Sequence, residues 1–203
     1  MTDKKEQSES ERRRFFRIDD EVGLEYKLIS EEEYKTAPEE LEQIKQTAFS
    51  LSAEFATLNN EYNPTLNSIR NSQPEIAQYL DLLNRKIDSI SAQFLEEEIE
   101  GLEENTRMVN LSASGIAFKC EQGLPDNQPV KLRVILLPEK IGVIIFGRVQ
   151  DRLRSAEQKK NGIVCIDFEH IRYDDQELMI KHNLNKQMQL LRQRNEEEQD
   201  KKD

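Results

Sequence analysis

The chain has 203 residues, with 29 basic against 40 acidic side chains for a formal net charge of −11, and only 36% of it is hydrophobic, with no Trp. That is enough for one domain with an addition or two small ones, and leaves no surplus core for a large enzyme. The acidic balance argues against a general nucleic-acid binder, which gains affinity by neutralising phosphates with Lys and Arg, and the longest apolar run, Ile141–Gly147, falls far short of the ~18 residues of a membrane span.

Residues 1–11 are polar and of mixed charge and are expected to form a flexible tail. With no apolar signal-peptide core in Met1–Glu6, a cytoplasmic location is expected. A basic cluster, Arg12-Arg-Arg-Phe-Phe-Arg17, leads into a strand over 22–29, where Val22, Leu24, Tyr26 and Leu28 alternate with Gly23, Glu25 and Lys27. From Ser30 to about Glu104 the period changes. Leu41, Ile44, Ala48, Leu51, Phe55 and Leu58, and then Ile76, Leu80, Leu83, Ile87, Ile90 and Phe94, recur at alternating intervals of three and four. Both series fit a heptad seam and predict two long amphipathic helices, 41–58 and 75–99. Asn63-Pro64 and Gln73-Pro74 punctuate their join, Ser72 and Glu75 suit a capping box, and Gly101 suits a helix end beyond the solvated Glu96–Glu100 run.

After Thr106 period two returns, with strands over 107–111, 115–121, 129–137, 141–152 and 162–169 separated by turn residues at 112–114, 124–127, 138–140 and 159–162. With the first strand this makes six, and a small closed antiparallel barrel is the arrangement that removes their exposed edges. A helix over 174–194 follows, with Leu178, Lys181, Leu184, Met188 and Leu191 on one face, and residues 195–203 are expected to be disordered. The expected organisation is one β domain (12–29 and 105–194) interrupted by a helical insertion (30–104) whose ends return to the same place.

Catalysis finds little support. There is no Gly-rich phosphate loop and no GxSxG elbow, and the acidic residues lie in runs typical of solvated faces. Cys120 and Cys165 sit in apolar alternation and are expected in or near the core, while His170 and His182 stand at no zinc-like spacing and are expected on the surface or rim. No metal site and no cofactor are expected.

Two short pieces carry chemistry. Arg13-Arg-Phe-Phe-Arg17, preceded by Arg12, offers planar guanidinium groups suited to phosphate and to the O6/N7 edge of guanine. Asn110-Leu-Ser-Ala-Ser-Gly115 offers an amide, a hydroxyl, backbone N–H groups and a glycine where the backbone turns or admits a ligand. Taken singly, the first is also what a solvated basic tether looks like, and the second an ordinary hairpin turn. In this order, on an arm and on a strand of a six-stranded pattern, the two resemble the signature of the PilZ domain, a bacterial receptor for cyclic di-GMP, which carries RxxxR followed by (D/N)xSxxG. Gly162-Ile-Val-Cys-Ile-Asp-Phe168 and the helix after it resemble that family's closing strand and tail. The resemblance covers about residues 11–29 and 105–194.

The resemblance implies a six-stranded barrel, no enzymatic activity, and a cyclic di-GMP site. In that site Arg13 and Arg17 grip guanines and phosphates, Arg12 adds charge or stacking, Asn110 and Ser112 meet a guanine edge, and Gly115 admits the backbone. The departure from the family pattern is the 93 positions between Arg17 and Asn110. The inserted helices are expected to pack as a hairpin that also serves a homo-oligomer interface, with an unidentified downstream protein as the further partner. The alternative is a nucleotide-independent scaffold that oligomerises through the insertion.

Overall fold

The computed structural model describes residues 16–43, 47–98, 105–150, 157–158 and 161–200. The expected tail at 1–11, Arg12 and Arg13, the helix end at 99–104 and the last three residues lie outside them. Six strands form a closed antiparallel barrel: β1 (Ile18–Leu28), β2 (Thr106–Ser112), β3 (Gly115–Lys119), β4 (Pro129–Leu136), β5 (Ile141–Val149) and β6 (Ile163–Ile171), in the order β1-β2-β3-β6-β5-β4 around the closure. Between β1 and β2 come α1 (Glu31–Lys35), α2 (Ala37–Gln43), α3 (Ala48–Ser72) and α4 (Pro74–Glu98), and α5 (Tyr173–Asp200) follows β6.

The barrel interior is filled by alternate residues of each strand, among them Val22, Leu24, Leu111, Ile116, Phe118, Leu132, Val134, Ile145 and Ile166, with Met179 of α5 packed among them. On β5, and at the end of β4, outward residues are buried too. Ile135, Ile144 and Phe146 face outward into a second core with Ile29, Tyr34, Ala37, Leu41, Phe49 and Leu95, so these two strands are covered by the helical insertion. This accounts for the nearly unbroken apolar sequence of β5, which a sheet solvated on one face would not need.

Several local features depart from the sequence reading. β1 begins at Ile18 rather than 22, because Ile18, Asp20 and Val22 continue the inward alternation back through an acidic stretch. The first heptad series does not lie on one helix: α2 ends at Gln43 and α3 starts afresh behind Thr47, whose hydroxyl and backbone pair reciprocally with Ser50. Leu41 is buried in the outer core instead of extending a seam. α1 and α2, of five and seven residues, are shorter than a periodicity can announce.

Pro64 is carried inside α3 at an exposed position, where its missing N–H costs one helical hydrogen bond. Ser72 forms no capping box with Glu75. It is the last residue of α3, and its hydroxyl donates back to the carbonyls of Ser68 and Ile69. Gln73 alone joins the helices, with Pro74 at the first position of α4, where no N–H is needed. α5 continues to Asp200 where disorder was expected from 195, since the Glu- and Gln-rich end contains helix formers and no Gly or Pro.

α1 is tied to the barrel by Arg148, which grips both carboxylate oxygens of Glu31 at 2.7 Å and lies 4.3 Å over the Tyr34 ring. Tyr34 in turn donates to Glu169 on β6 at 2.6 Å. α3 is seated on β5 by Phe49 and by the Ser52 hydroxyl, which accepts from the Gly142 N–H at 2.9 Å. Cys120 and Cys165 are buried, as expected. No helix among the described residues is long and apolar enough to cross a membrane.

Candidate functional site

The 93-residue separation between Arg17 and Asn110 closes in space because β1 and β2 pair directly. Ile18 stands opposite Leu111 and Asp19 opposite Asn110, which places Arg17 beside the β2–β3 corner. Its guanidinium Nη1 lies 3.4 Å from the Asn110 amide oxygen, and the Asn110 amide donates to the Asp19 carboxylate at 2.8 Å. Asp19 therefore fixes which way the amide points. At its first residue β3 runs so close to its neighbour that a Cβ on Gly115 would lie 2.8 Å from the Ile166 carbonyl oxygen and 3.3 Å from Nη2 of Arg17. Glycine at 115 is what lets both the sheet and the guanidinium pass.

Ser112 is fully buried and works within the corner, donating to the Gly115 carbonyl at 3.1 Å and accepting from the Ser114 N–H at 3.4 Å. The corner is braced from outside as well: Phe168 donates its N–H to the Ser114 carbonyl at 2.9 Å, and Gln176 of α5 donates to the Ala113 carbonyl at 3.1 Å. Four of the six residues singled out in the sequence, Arg17, Asn110, Ser112 and Gly115, thus meet at one rim of the barrel. Arg12 and Arg13 lie outside the described residues. Phe16, next to Arg17, is 54% exposed.

Directly behind this rim is a charged cluster that sequence reasoning did not find. Asp20 and His182, both buried, are joined by a 2.6 Å hydrogen bond, Lys186 donates to the other Asp20 oxygen at 2.7 Å, and Glu139 approaches the second His182 nitrogen at 3.7 Å. His182 is accordingly a buried residue rather than a surface one. α5 docks through Asp175, Leu178, Met179 and His182, while Leu184, Met188 and Leu191, expected on the same face as Leu178, are exposed. The only local signal was Asp20 itself, at an inward position of an alternating strand.

Burial pushes the Asp20 carboxyl up, but the hydrogen bonds and charges of His182 and Lys186 outweigh it and hold the group below its ordinary value of 3.8. Burial pushes the His182 imidazole down, and its hydrogen bond with the Asp20 carboxylate, together with the negative charges of Asp20 and Glu139, outweighs that and holds it above 6.5. A raised histidine contributes stability that is fully present below its unfolded pKa and lost as pH rises through the folded one. Urea midpoints are expected to fall as pH is raised from about 6.5 to 8.5, and His182→Gln is expected to remove that slope. An unchanged slope in the variant would assign it elsewhere.

A separate cavity of about 330 Å³ lies between α3, α4, the β4–β5 turn and α5, lined in part by Phe55, Asp88, Ser91, Lys181 and His182. It contains none of the motif residues. Among the described residues no group of three or more His, Cys, Asp or Glu side chains is placed to hold a metal ion.

No family model matches the sequence, and no curated protein matches it. Among solved structures, a pathogenic protein from Xanthomonas campestris, described as a tetrameric PilZ domain self-assembled through an unusual helical bundle, superposes with a TM-score of 0.52. The match spans 88% of this chain and 89% of that one at 10% identity. The chain has the PilZ fold. At that identity the likeness extends to the PilZ barrel together with its added helices, and to nothing finer. The inhibitor of motility MotI/DgrA of Bacillus subtilis also matches, over 42% of this chain and 44% of that one, at 20% identity and a TM-score of 0.34, too low to add to the assignment.

Proposed function

We propose that the protein is a non-catalytic receptor for cyclic di-GMP, in which Arg17 and the Asn110–Gly115 corner form the described half of the binding rim and Arg12 and Arg13 complete it. The observation that supports this reading is the convergence of Arg17, Asn110 and Gly115 across 93 residues of chain. The guanidinium, 3.4 Å from the Asn110 amide oxygen, stands where it can make charge-assisted, forked contacts with a phosphate or with guanine O6 and N7.

Leaving Asn110 frees its amide oxygen for a donor on a guanine edge, with Asp19 still orienting the amide. Ser112 shapes the corner, and its contact with guanine requires its hydroxyl to turn from the Gly115 carbonyl. Arg13 joins Arg17 in gripping guanines and phosphates, and Arg12 adds charge or stacking.

Isothermal titration calorimetry with cyclic di-GMP tests this. Wild-type protein is expected to bind saturably. Arg17→Ala removes a charge-assisted contact of about 1.5–3 kcal/mol, a loss of about 10–150-fold in affinity. Absence of saturable heat in the wild type would overturn the receptor reading.

One observation favours a second reading, in which the insertion assembles copies regardless of nucleotide: α4 leaves Ile76, Ile87, Ile90 and Phe94 about half exposed. In the Xanthomonas protein the helices are what self-assembles. A size measurement indifferent to nucleotide, together with silent calorimetry, would select this reading over the first.

A further inference from the structure

We propose that two copies of this chain pair antiparallel along α4, in a single self-complementary register centred on residue 85. This deepens the assembly part of the reading above and does not depend on the nucleotide part. α4 is amphipathic in two directions. The side carrying Ala77, Ser91 and Leu95 is buried against its own chain, whereas Ile76, Tyr79, Leu83, Ile87, Ile90 and Phe94 stand 37–62% exposed in one continuous stripe.

A stripe of six large apolar side chains presents on the order of 500 Å² of apolar surface, at the upper end of what a monomer tolerates. With its flanks it approaches the roughly 800 Å² a side of a stable protein interface.

The occupant follows from the spacing. The heptad positions Ile76, Leu80, Leu83, Ile87, Ile90 and Phe94, of which Leu80 is half-buried and the other five lie in the exposed stripe, are separated by 4, 3, 4, 3 and 4 residues, a series that reads the same in both directions. An antiparallel copy therefore matches every position at once: Ile76 with Phe94, Leu80 with Ile90, and Leu83 with Ile87, each pair occurring twice about a twofold axis. That is the self-complementarity an isologous dimer requires, and intervals of three and four are those of knobs-into-holes packing. Charge selects the direction. A parallel pair would set the two acidic helix ends at 96–98 side by side, whereas the antiparallel pair sets each against the partner's Pro74 end, where the helix dipole is positive.

Light scattering behind size exclusion, without nucleotide, tests the pairing. Wild type is expected at twice the chain mass or an even multiple of it. Leu83→Glu combined with Ile87→Glu is expected at the mass of one chain, or at half the wild-type mass if a second interface exists, with far-UV circular dichroism unchanged because both positions are exposed.

The register is read by mixing Leu83→Cys protein with Ile87→Cys protein under oxidation; the native Cys120 and Cys165 are buried and do not compete. The mixed disulfide is expected to dominate. A wild-type monomer, or an assembly whose mass survives the double substitution, overturns the proposal. Dominant self-crosslinking of each variant overturns the antiparallel register. Since no nucleotide is present, none of these results bears on the receptor reading.

Discussion

Replacing Asp20 with alanine is expected to lower the unfolding free energy by about 3–5 kcal/mol, the cost of removing one partner of a buried ion pair. Asp20 and His182 are 4% and 6% exposed, and the carboxylate receives both His182 at 2.6 Å and Lys186 at 2.7 Å. Without it, a buried imidazole and a partly buried ammonium group lose their shared acceptor, and Glu139, at 3.7 Å from the other ring nitrogen, is too far and too exposed to replace it.

Asp20→Asn keeps the shape but not the charge and is expected to cost less. A double-mutant cycle with His182→Ala, read by urea denaturation, separates the pair's coupling from the truncation of each side chain. A cost under about 1 kcal/mol for Asp20→Ala, the level of an exposed surface pair, would show that the cluster does not hold α5 to the barrel. The consequence for the rim is direct. Asp20 follows Asp19, which orients Asn110, and α5 braces the Ala113 carbonyl, so loosening α5 should also weaken nucleotide binding.

The barrel was legible in the sequence because a strand with one buried face declares itself by alternation, as β4 does through Lys131 and Arg133, and β5, buried on both, by a near-continuous apolar run. The existence of the long helices was legible from their spacing; their ends were not. The restart of the helix at Thr47 depends on a Thr–Ser capping pair that looks like any polar dipeptide spacing, and Pro64 looked like a break because local propensity opposes it.

The second heptad series was found as a seam, but its exposure was not, since a pattern shows that a face wants burial without showing by what. At the site, Arg17 and Asn110 come together through the β1–β2 register, which no local pattern gives. His182 was misplaced for a similar reason: its partner lies 162 residues away, inside an Asp19-Asp20-Glu21 run that reads as solvated. Buried pairs between distant segments leave almost no one-dimensional trace.

Alanine at Gly147 and alanine at Gly115 are expected to impose similar steric penalties with different functional outcomes. The two glycines press on the same segment of β6 from opposite sides. Gly115 stands opposite Asp167 on β3, and Gly147 stands opposite Phe168 on β5, next to the register shift in that pairing. A Cβ at 147 would lie 2.3 Å from the Asp167 carbonyl oxygen, and one at 115 would lie 2.8 Å from that of Ile166. Neither oxygen can yield without moving the strand, so each substitution should cost about 1–3 kcal/mol or somewhat more as overpacking, Gly147→Ala the larger.

Only Gly115→Ala also places its methyl group 3.3 Å from the Arg17 guanidinium. It is therefore expected to reduce cyclic di-GMP affinity at least tenfold at a temperature where both variants remain folded, while Gly147→Ala retains near-wild-type affinity despite its lower thermal midpoint. Equal losses of affinity in the two variants would mean that binding tracks barrel stability alone, and the assignment of the rim at Arg17 and Gly115 would fail. Affinity lost at 115 and kept at 147 would separate the site from the fold that carries it, because the two substitutions strain the same strand and differ in what stands beside the new methyl group.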